Sequence, residues 1–134
     1  MRLWHEELLP ILPNHQLLGQ HRECCALRGL GWGKKHATVD YVFQHPHEWL
    51  WAYHMEVIWE MKNRGYSHDP LWNSPEYRGL NCEKLDTPLL YFQEALTRLP
   101  KGVLVYPEHD SEYLMECLDN LRKKGIELSL KTLG

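Results

Sequence analysis

The spacing of apolar residues predicts helices in two stretches of the first half of the chain. Residues 14–29 carry leucines and cysteines along one side, with Asn14 placed to cap the helix and Gly29 to follow its end. Residues 45–65 are apolar around well over half of the helical circumference. Such a pattern is typical of a central helix that neighbours cover on several sides.

Two further stretches with helical spacing follow in the second half of the chain. Residues 66–86 contain two prolines and many turn formers, which predict an ordered but irregular crossing. The sequence predicts two helices after this crossing. The first is capped by Asp86 or Thr87, and the last begins at Asp110 or Ser111 and runs to Gly125. The pattern as a whole predicts an all-α fold, a compact single-domain bundle of about four main helices over residues 1–134 with long irregular connections.

The overall composition is that of a folded domain with a slight negative charge. Hydrophobic residues make up 43% of the chain and charged residues 25%, values that argue against global disorder. The formal net charge is −3, so the surface as a whole does not attract a polyanion. A local basic patch remains compatible with this charge, because affinity for nucleic acid depends on the charges that face the phosphates.

Two sequence features predict a cytoplasmic protein. The N-terminal residues include no apolar signal segment, and the chain has no apolar run long enough to span a membrane. The four cysteines form no CxxC pair, which favours reduced thiols over a disulfide framework. We therefore expect no membrane association.

Residues 22–36 concentrate positive charge in a glycine-containing segment. Its cationic side chains are Arg22, Arg28, Lys34, Lys35 and His36. Such a segment can hold phosphates through side chains and backbone N–H groups, although a solvated loop is the simpler alternative. Glu23 is the single acid among these cations. It is either an ionised carboxylate ready to stabilise a cation or accept a proton, or one half of a surface ion pair with Arg22.

The histidines raise the alternative of a metal-dependent hydrolase. His21 and Cys24 are three residues apart, and His45, His47 and His54 cluster around the start of the second helix. No HExxH motif or paired CxxC accompanies them. Histidines that pair within the fold or at its surface are therefore the favoured interpretation, and no metal or other cofactor is expected.

Several ordered motifs resemble the pyrimidine-dimer DNA glycosylases typified by the phage endonuclease V enzyme. The resemblance runs from residue 1 to about residue 80. Its motifs are Arg2-Leu3, LLGQHRE ending at Arg22-Glu23, GWGKKH, MKNRGY and PEYRG. The MRLW opening is similar to a bacterial branch of this family.

The resemblance implies an all-α DNA glycosylase and AP lyase acting on double-stranded DNA with a damaged or abasic site. In the family, the N-terminal α-amine attacks the sugar C1′ and forms a Schiff base, and a glutamate assists before strand cleavage by β-elimination. The matching groups here are the amine of Met1 and the carboxylate of Glu23. Arg2 and Arg22 match the arginines that contact DNA near the lesion.

An α-amine suits this chemistry because its reference pKa is about 7.7–8.0, against about 10.4 for lysine, so more of it is the free base at neutral pH.

The chain also departs from the family pattern. Bulky Arg2 predicts that Met1 is retained, whereas the family exposes a small residue. Ala26 stands where the family has an arginine, with Arg28 nearby as a replacement. A non-catalytic helical binding module that retains the fold is therefore the alternative prediction.

Overall fold

The computed structural model describes residues 2–85 and 104–128. Three α-helices form its framework: α1, Asn14–Arg28; α2, His47–Asn63; and α3, Ser111–Lys123. Three short 3₁₀ helices lie between or before them, at Glu6–Ile11, Asp40–Gln44 and Pro70–Asn73. These ranges contain no strand, and the all-α prediction is confirmed.

Helix α2 is central, as its sequence predicts. Its residues Leu50, Ala52, Tyr53, His54 and Val57 have no exposed surface. Helix α1 packs along it and contributes Leu17, Cys24 and Leu27 to the same core. Since full burial of one leucine side chain stabilises a fold by about 1.5–3 kcal/mol, this shared core fixes α1 and α2 as one unit.

The N-terminal segment is part of the core rather than an extension from it. Its buried apolar residues are Leu3, Trp4, Leu8, Leu9 and Leu12. Glu6, which is also buried, accepts hydrogen bonds from the backbone N–H groups of Val105 at 2.7 Å and Tyr106 at 3.2 Å. The first residues of the chain are thereby tied to the segment that leads into α3.

Helix α3 begins and ends close to its predicted boundaries. Asp110 caps it, accepting a hydrogen bond from the backbone N–H of Tyr113 at 2.9 Å, and Gly125 follows it with a φ of 82°. Its buried residues Cys117, Leu118 and Leu121 share one face, which packs against the core. The opposite face is solvated.

The structure differs from the sequence-based expectations at two points, and a third expectation lies outside the residues that it describes. Asn14 is the first residue of α1 and makes no side-chain cap, because Pro13 precedes the helix. The 3₁₀ helix at Glu6–Ile11 was not predicted, since Pro10 lies within it and masks a helical pattern. The helix expected after Asp86 or Thr87 lies outside the residues that the structure describes.

The four cysteines are free, as the sequence predicts. In residues 2–85 and 104–128, no helix combines the length and the apolar character that crossing a membrane requires.

Candidate active site

A buried glutamine fixes the start of the chain against α1. The side chain of Gln20 is 1% exposed, and its Oε1 accepts the backbone N–H of Trp4 at 2.7 Å and the hydroxyl of Tyr53 at 3.0 Å. Its Nε2 donates to the carbonyl oxygen of Arg2 at 3.0 Å and to Oε2 of Glu23 at 3.1 Å. Both ends of the amide are thus fully used, and residues 2–4 are held beside Glu23.

Glu23 is half-buried at the edge of this arrangement. Burial raises the pKa of its carboxyl above the ordinary value, while hydrogen bonds from the backbone N–H of Arg2 and the side chain of Gln20 oppose the rise. A carboxyl group in such surroundings can take up a proton and can stabilise a neighbouring positive charge.

Glu23 faces a cleft of about 210 Å³ between the N-terminal segment, α1 and the end of α3. The lining residues are Arg2, Trp4, Gln16, Gly19, Glu23, Asn120 and Lys124. The positive charge of Lys124 favours the ionised form of Glu23. The cleft is therefore lined by one carboxylate, Glu23, and two cations, Arg2 and Lys124.

Helix α3 positions Arg2. The guanidinium of Arg2 lies 3.7 Å from Glu116 Oε1 and 5.8 Å from the centre of the Tyr113 ring. The hydroxyl of Tyr113 donates to the carbonyl oxygen of Leu3. These contacts fix both the backbone and the side chain at the start of the chain, from a helix more than 100 residues away in the sequence.

Arg22 lies beside the same cleft. Its side chain is exposed on α1, and its Nη2 is 3.6 Å from the position that a Cβ at Gly19 would take. The structure thus brings Arg2, Arg22 and Glu23 together, three of the residues that the sequence singles out.

Lys34, Lys35 and His36 are not part of this cleft. Lys34 and Lys35 are exposed on the loop after α1, and the backbone N–H of His36 donates to Asp40 at 2.9 Å. Lys34 and His36 line a separate groove of about 490 Å³ that also contains Arg78. A DNA strand that crosses both surfaces would meet these cations at a distance from Glu23.

Arg28 is fully buried and holds the third 3₁₀ helix and the segment that follows it. Its Nη1 and Nη2 donate to the carbonyl oxygens of Trp72, Ser74 and Tyr77 at 2.8–2.9 Å. Burial lowers the pKa of this guanidinium to about 10. A guanidinium enclosed in this way does not reach a phosphate in this conformation, so the expected contact of Arg28 with DNA gains no support from its position.

The histidines are arranged differently from the expected cluster. His45 Nε2 lies 2.9 Å from both carboxylate oxygens of Glu108, and His47 Nε2 donates to the carbonyl oxygen of Arg28 at 3.2 Å. His54 instead meets His21, and the cysteine beside them is Cys25 rather than Cys24. Burial raises the pKa of the Cys25 thiol to about 12, which makes it a poor nucleophile.

Sequence reasoning missed three residues of the site. Gln20 is a polar residue among leucines, and a polar side chain within an apolar stripe is a signal that it has buried partners. Asn120 is a solvent-side residue of α3 by its spacing, and Lys124 directly follows the helix. Only the packing of α3 against the N-terminal segment brings them to the cleft. Met1, the predicted nucleophile, lies outside the residues that the structure describes.

Comparisons with known proteins bear on the first half of the chain. Neither curated proteins nor solved structures give a match. The family model of pyrimidine dimer DNA glycosylases matches residues 1–74, which is just over half of the chain and includes Arg2, Gln20, Arg22 and Glu23. The chain therefore belongs to the pyrimidine dimer DNA glycosylase family, a family of DNA repair enzymes.

Proposed function

We propose that this protein is a DNA glycosylase and AP lyase whose nucleophile is the α-amine of Met1 and whose assisting acid is Glu23. The amine attacks C1′ of a damaged nucleotide, and the base leaves with the electron pair of the glycosidic bond. Opening of the sugar ring gives an imine between C1′ and the amine. Loss of a proton from C2′ then expels the 3′ phosphate by β-elimination, and water releases the product from the enzyme.

The observation that carries this proposal is the contact between Glu23 and the start of the chain. Gln20 Nε2 donates to both the carbonyl oxygen of Arg2 and Oε2 of Glu23, and a hydrogen bond from the Arg2 backbone favours the ionised form of Glu23. Because one residue spans at most about 3.6 Å, covalent geometry keeps the α-amine of Met1 within roughly that distance of the Arg2 nitrogen. The proposal requires that this amine reach both the carboxylate and a sugar in the cleft.

Glu23 has two tasks in this reaction. Its ionised form stabilises the positive charge that develops on the sugar as the base departs and on the imine that follows. Its raised pKa, caused by burial, also suits it to take a proton during elimination and return it later.

The size and charge of the cleft fit a deoxyribose with its phosphates. Its volume of about 210 Å³ lies below the ~300–1,000 Å³ of pockets that enclose whole small-molecule ligands. Arg2 and Lys124, both in the lining of the cleft, bind phosphate oxygens next to the sugar, and Arg22, nearby on α1, contacts a neighbouring phosphate. Lys34, Lys35 and His36 lie outside this cleft, on the loop after α1, and contact DNA phosphates at a distance from the sugar.

The decisive experiment is borohydride trapping on duplex DNA that contains one abasic site, carried out with EDTA present. We expect a covalent protein–DNA adduct that maps to the N-terminal peptide and is lost when the α-amine is blocked. Glu23→Gln should slow the formation of this adduct. Glu7→Gln, which changes an exposed acid, is the matched control and should not. If no adduct formed, the proposed lyase chemistry would be wrong, and the alternative of a non-catalytic binding module would be favoured. An adduct on Lys124 would keep the lyase activity and overturn the assignment of the amine.

A further inference from the structure

Three metal-binding side chains converge on the side of α1 away from Glu23. His21 and Cys25 are one turn apart on α1, and His54 faces them from α2. His21 Nδ1 lies 2.7 Å from His54 Nε2, and Cys25 Sγ lies 4.0 Å from the first nitrogen and 3.9 Å from the second. Two helices therefore bring two imidazoles and one thiol to a single point.

The three ligand atoms lie within 4.8 Å of one another, a spacing that one metal ion can bridge after small side-chain rotations. Zinc binds histidine nitrogen at about 2.0–2.1 Å and cysteine sulfur at about 2.3 Å in a tetrahedral arrangement. The 2.7 Å between the two imidazoles is a hydrogen-bond distance, and Cys25 Sγ is 4.0 Å from Nδ1 and 3.9 Å from Nε2 of His21, so metal binding would rotate the rings and replace this hydrogen bond. Cys25 also lines the groove of about 490 Å³, from which water can supply a fourth ligand.

We propose that His21, Cys25 and His54 form a binding site for a borderline-soft divalent metal ion of the zinc type. Such an ion would tie α1 to α2 across the core. The site is separate from the proposed lyase cleft, because Cys25 is about 200° around α1 from Glu23. The inference does not depend on the proposed function, and the trapping reaction described above runs without metal.

Two features set the cost of loading this site: Cys25, whose pKa burial raises to about 12, must release its thiol proton to water, and His54 must give up its contact with Arg28. Nη1 of Arg28 lies 2.9 Å from His54 Nδ1, so in the metal-free protein this nitrogen is an acceptor and Nε2 carries the proton that bonds His21. A metal on Nε2 moves the proton to Nδ1 and breaks the contact with Arg28, which keeps its three carbonyl partners. The site should therefore bind more weakly than a four-ligand structural zinc site, in which the second ring nitrogen of each histidine donates to an acceptor.

Titration of the reduced, untagged chain with Co²⁺, followed by displacement with Zn²⁺, tests this inference. We expect one Co²⁺ per chain, a thiolate-to-cobalt charge-transfer absorption, and loss of that absorption when Zn²⁺ is added. Cys25→Ser should remove the absorption and weaken Zn²⁺ binding at least tenfold. Cys82→Ser, which changes another thiol lining the same groove, should leave both unchanged.

A second variant, His21→Gln, keeps the test valid if one substitution disturbs the fold, and circular dichroism checks each variant. Weakened binding in both His21→Gln and Cys25→Ser supports the site. Failure of the wild-type chain to bind Co²⁺ with a thiolate absorption would overturn the inference. An absorption that persists in Cys25→Ser would do the same.

Discussion

The side-chain amide of Gln20 donates to the carboxylate of Glu23 at 3.1 Å, one turn along the same helix. The same nitrogen also holds the carbonyl oxygen of Arg2 at 3.0 Å. One buried side chain thus sets the position of the proposed acid relative to the start of the chain. This arrangement makes Gln20 a positioning residue for the proposed reaction.

Gln20→Leu should reduce both stability and trapping. Leucine has a similar volume but leaves the buried N–H of Trp4 without its acceptor, so we expect a loss of about 1–3 kcal/mol in the free energy of unfolding, measured with urea. Trapping should fall at least tenfold under conditions in which the variant is fully folded. Gln16→Leu, one turn earlier on the same cleft, should change stability by less than about 0.5 kcal/mol.

Gln20→Glu separates positioning from a purely structural role. A second carboxylate beside Glu23 makes ionisation of Glu23 less favourable and raises its pKa further. The pH profile of trapping should therefore move to higher pH, a shift that an unrelated loss of stability would not produce. An unchanged profile in the folded variant would contradict the positioning role.

Glu23→Gln should lower the rate of trapping and raise the free energy of unfolding at pH 8. Removing an assisting acid typically costs about 10²–10⁴-fold in rate, which the rate of borohydride trapping measures. Burial raises the pKa of Glu23 in the folded chain, so the stability it contributes is present below its unfolded pKa and is lost as pH rises through its folded pKa. The variant should thus be more stable than the wild type at pH 8, and this difference should vanish below pH 4. A variant that is less stable at pH 8 would contradict the argument.

Arg28 and Arg22 should behave in opposite ways although both belong to the basic segment. Arg28→Met leaves three carbonyl oxygens without their donors, and since each such loss costs about 1–3 kcal/mol, the free energy of unfolding should fall by at least that amount. Arg22→Gln changes an exposed side chain and should cost less than about 0.5 kcal/mol. It should instead weaken binding to abasic duplex DNA and lower the slope of log affinity against log salt by about 0.9. Equal salt slopes for wild type and Arg22→Gln would exclude a phosphate contact.

The contrast between these two arginines shows what periodicity predicts and what it does not. Apolar spacing locates α1, α2 and α3, because burial of a helix face leaves a regular pattern in the sequence. It gives no indication that Arg28 is buried, since a charged residue enters a core only where the fold supplies acceptors, here from residues 72–77. The approach of Lys124 to Glu23 likewise depends on contacts between distant segments, which no local pattern encodes.

Glu56 shares a buried site with a second carboxyl group, that of Glu6. Glu6 is held ionised: burial opposes this, but His109 and the backbone N–H groups of Val105 and Tyr106 outweigh it and lower the pKa of Glu6. Burial, together with the charge of Glu6 and a hydrogen bond between the two side chains, raises the pKa of Glu56 to about 10. Glu56 therefore keeps its proton at neutral pH and donates it to Glu6.

The pH dependence of stability follows from this proton. Glu56 contributes its full stability below its ordinary pKa of 4.5 and loses it progressively as the pH rises toward about 10. Glu56→Gln supplies an N–H donor to Glu6 without an ionisable group, so it should be more stable than the wild type at pH 8 by at least about 1 kcal/mol and similar to it at pH 4.5. Urea unfolding at the two pH values measures this difference, with Glu83→Gln at an exposed acid as the control. If the wild-type chain and Glu56→Gln lost stability in parallel as the pH rose, the proton would have to reside elsewhere.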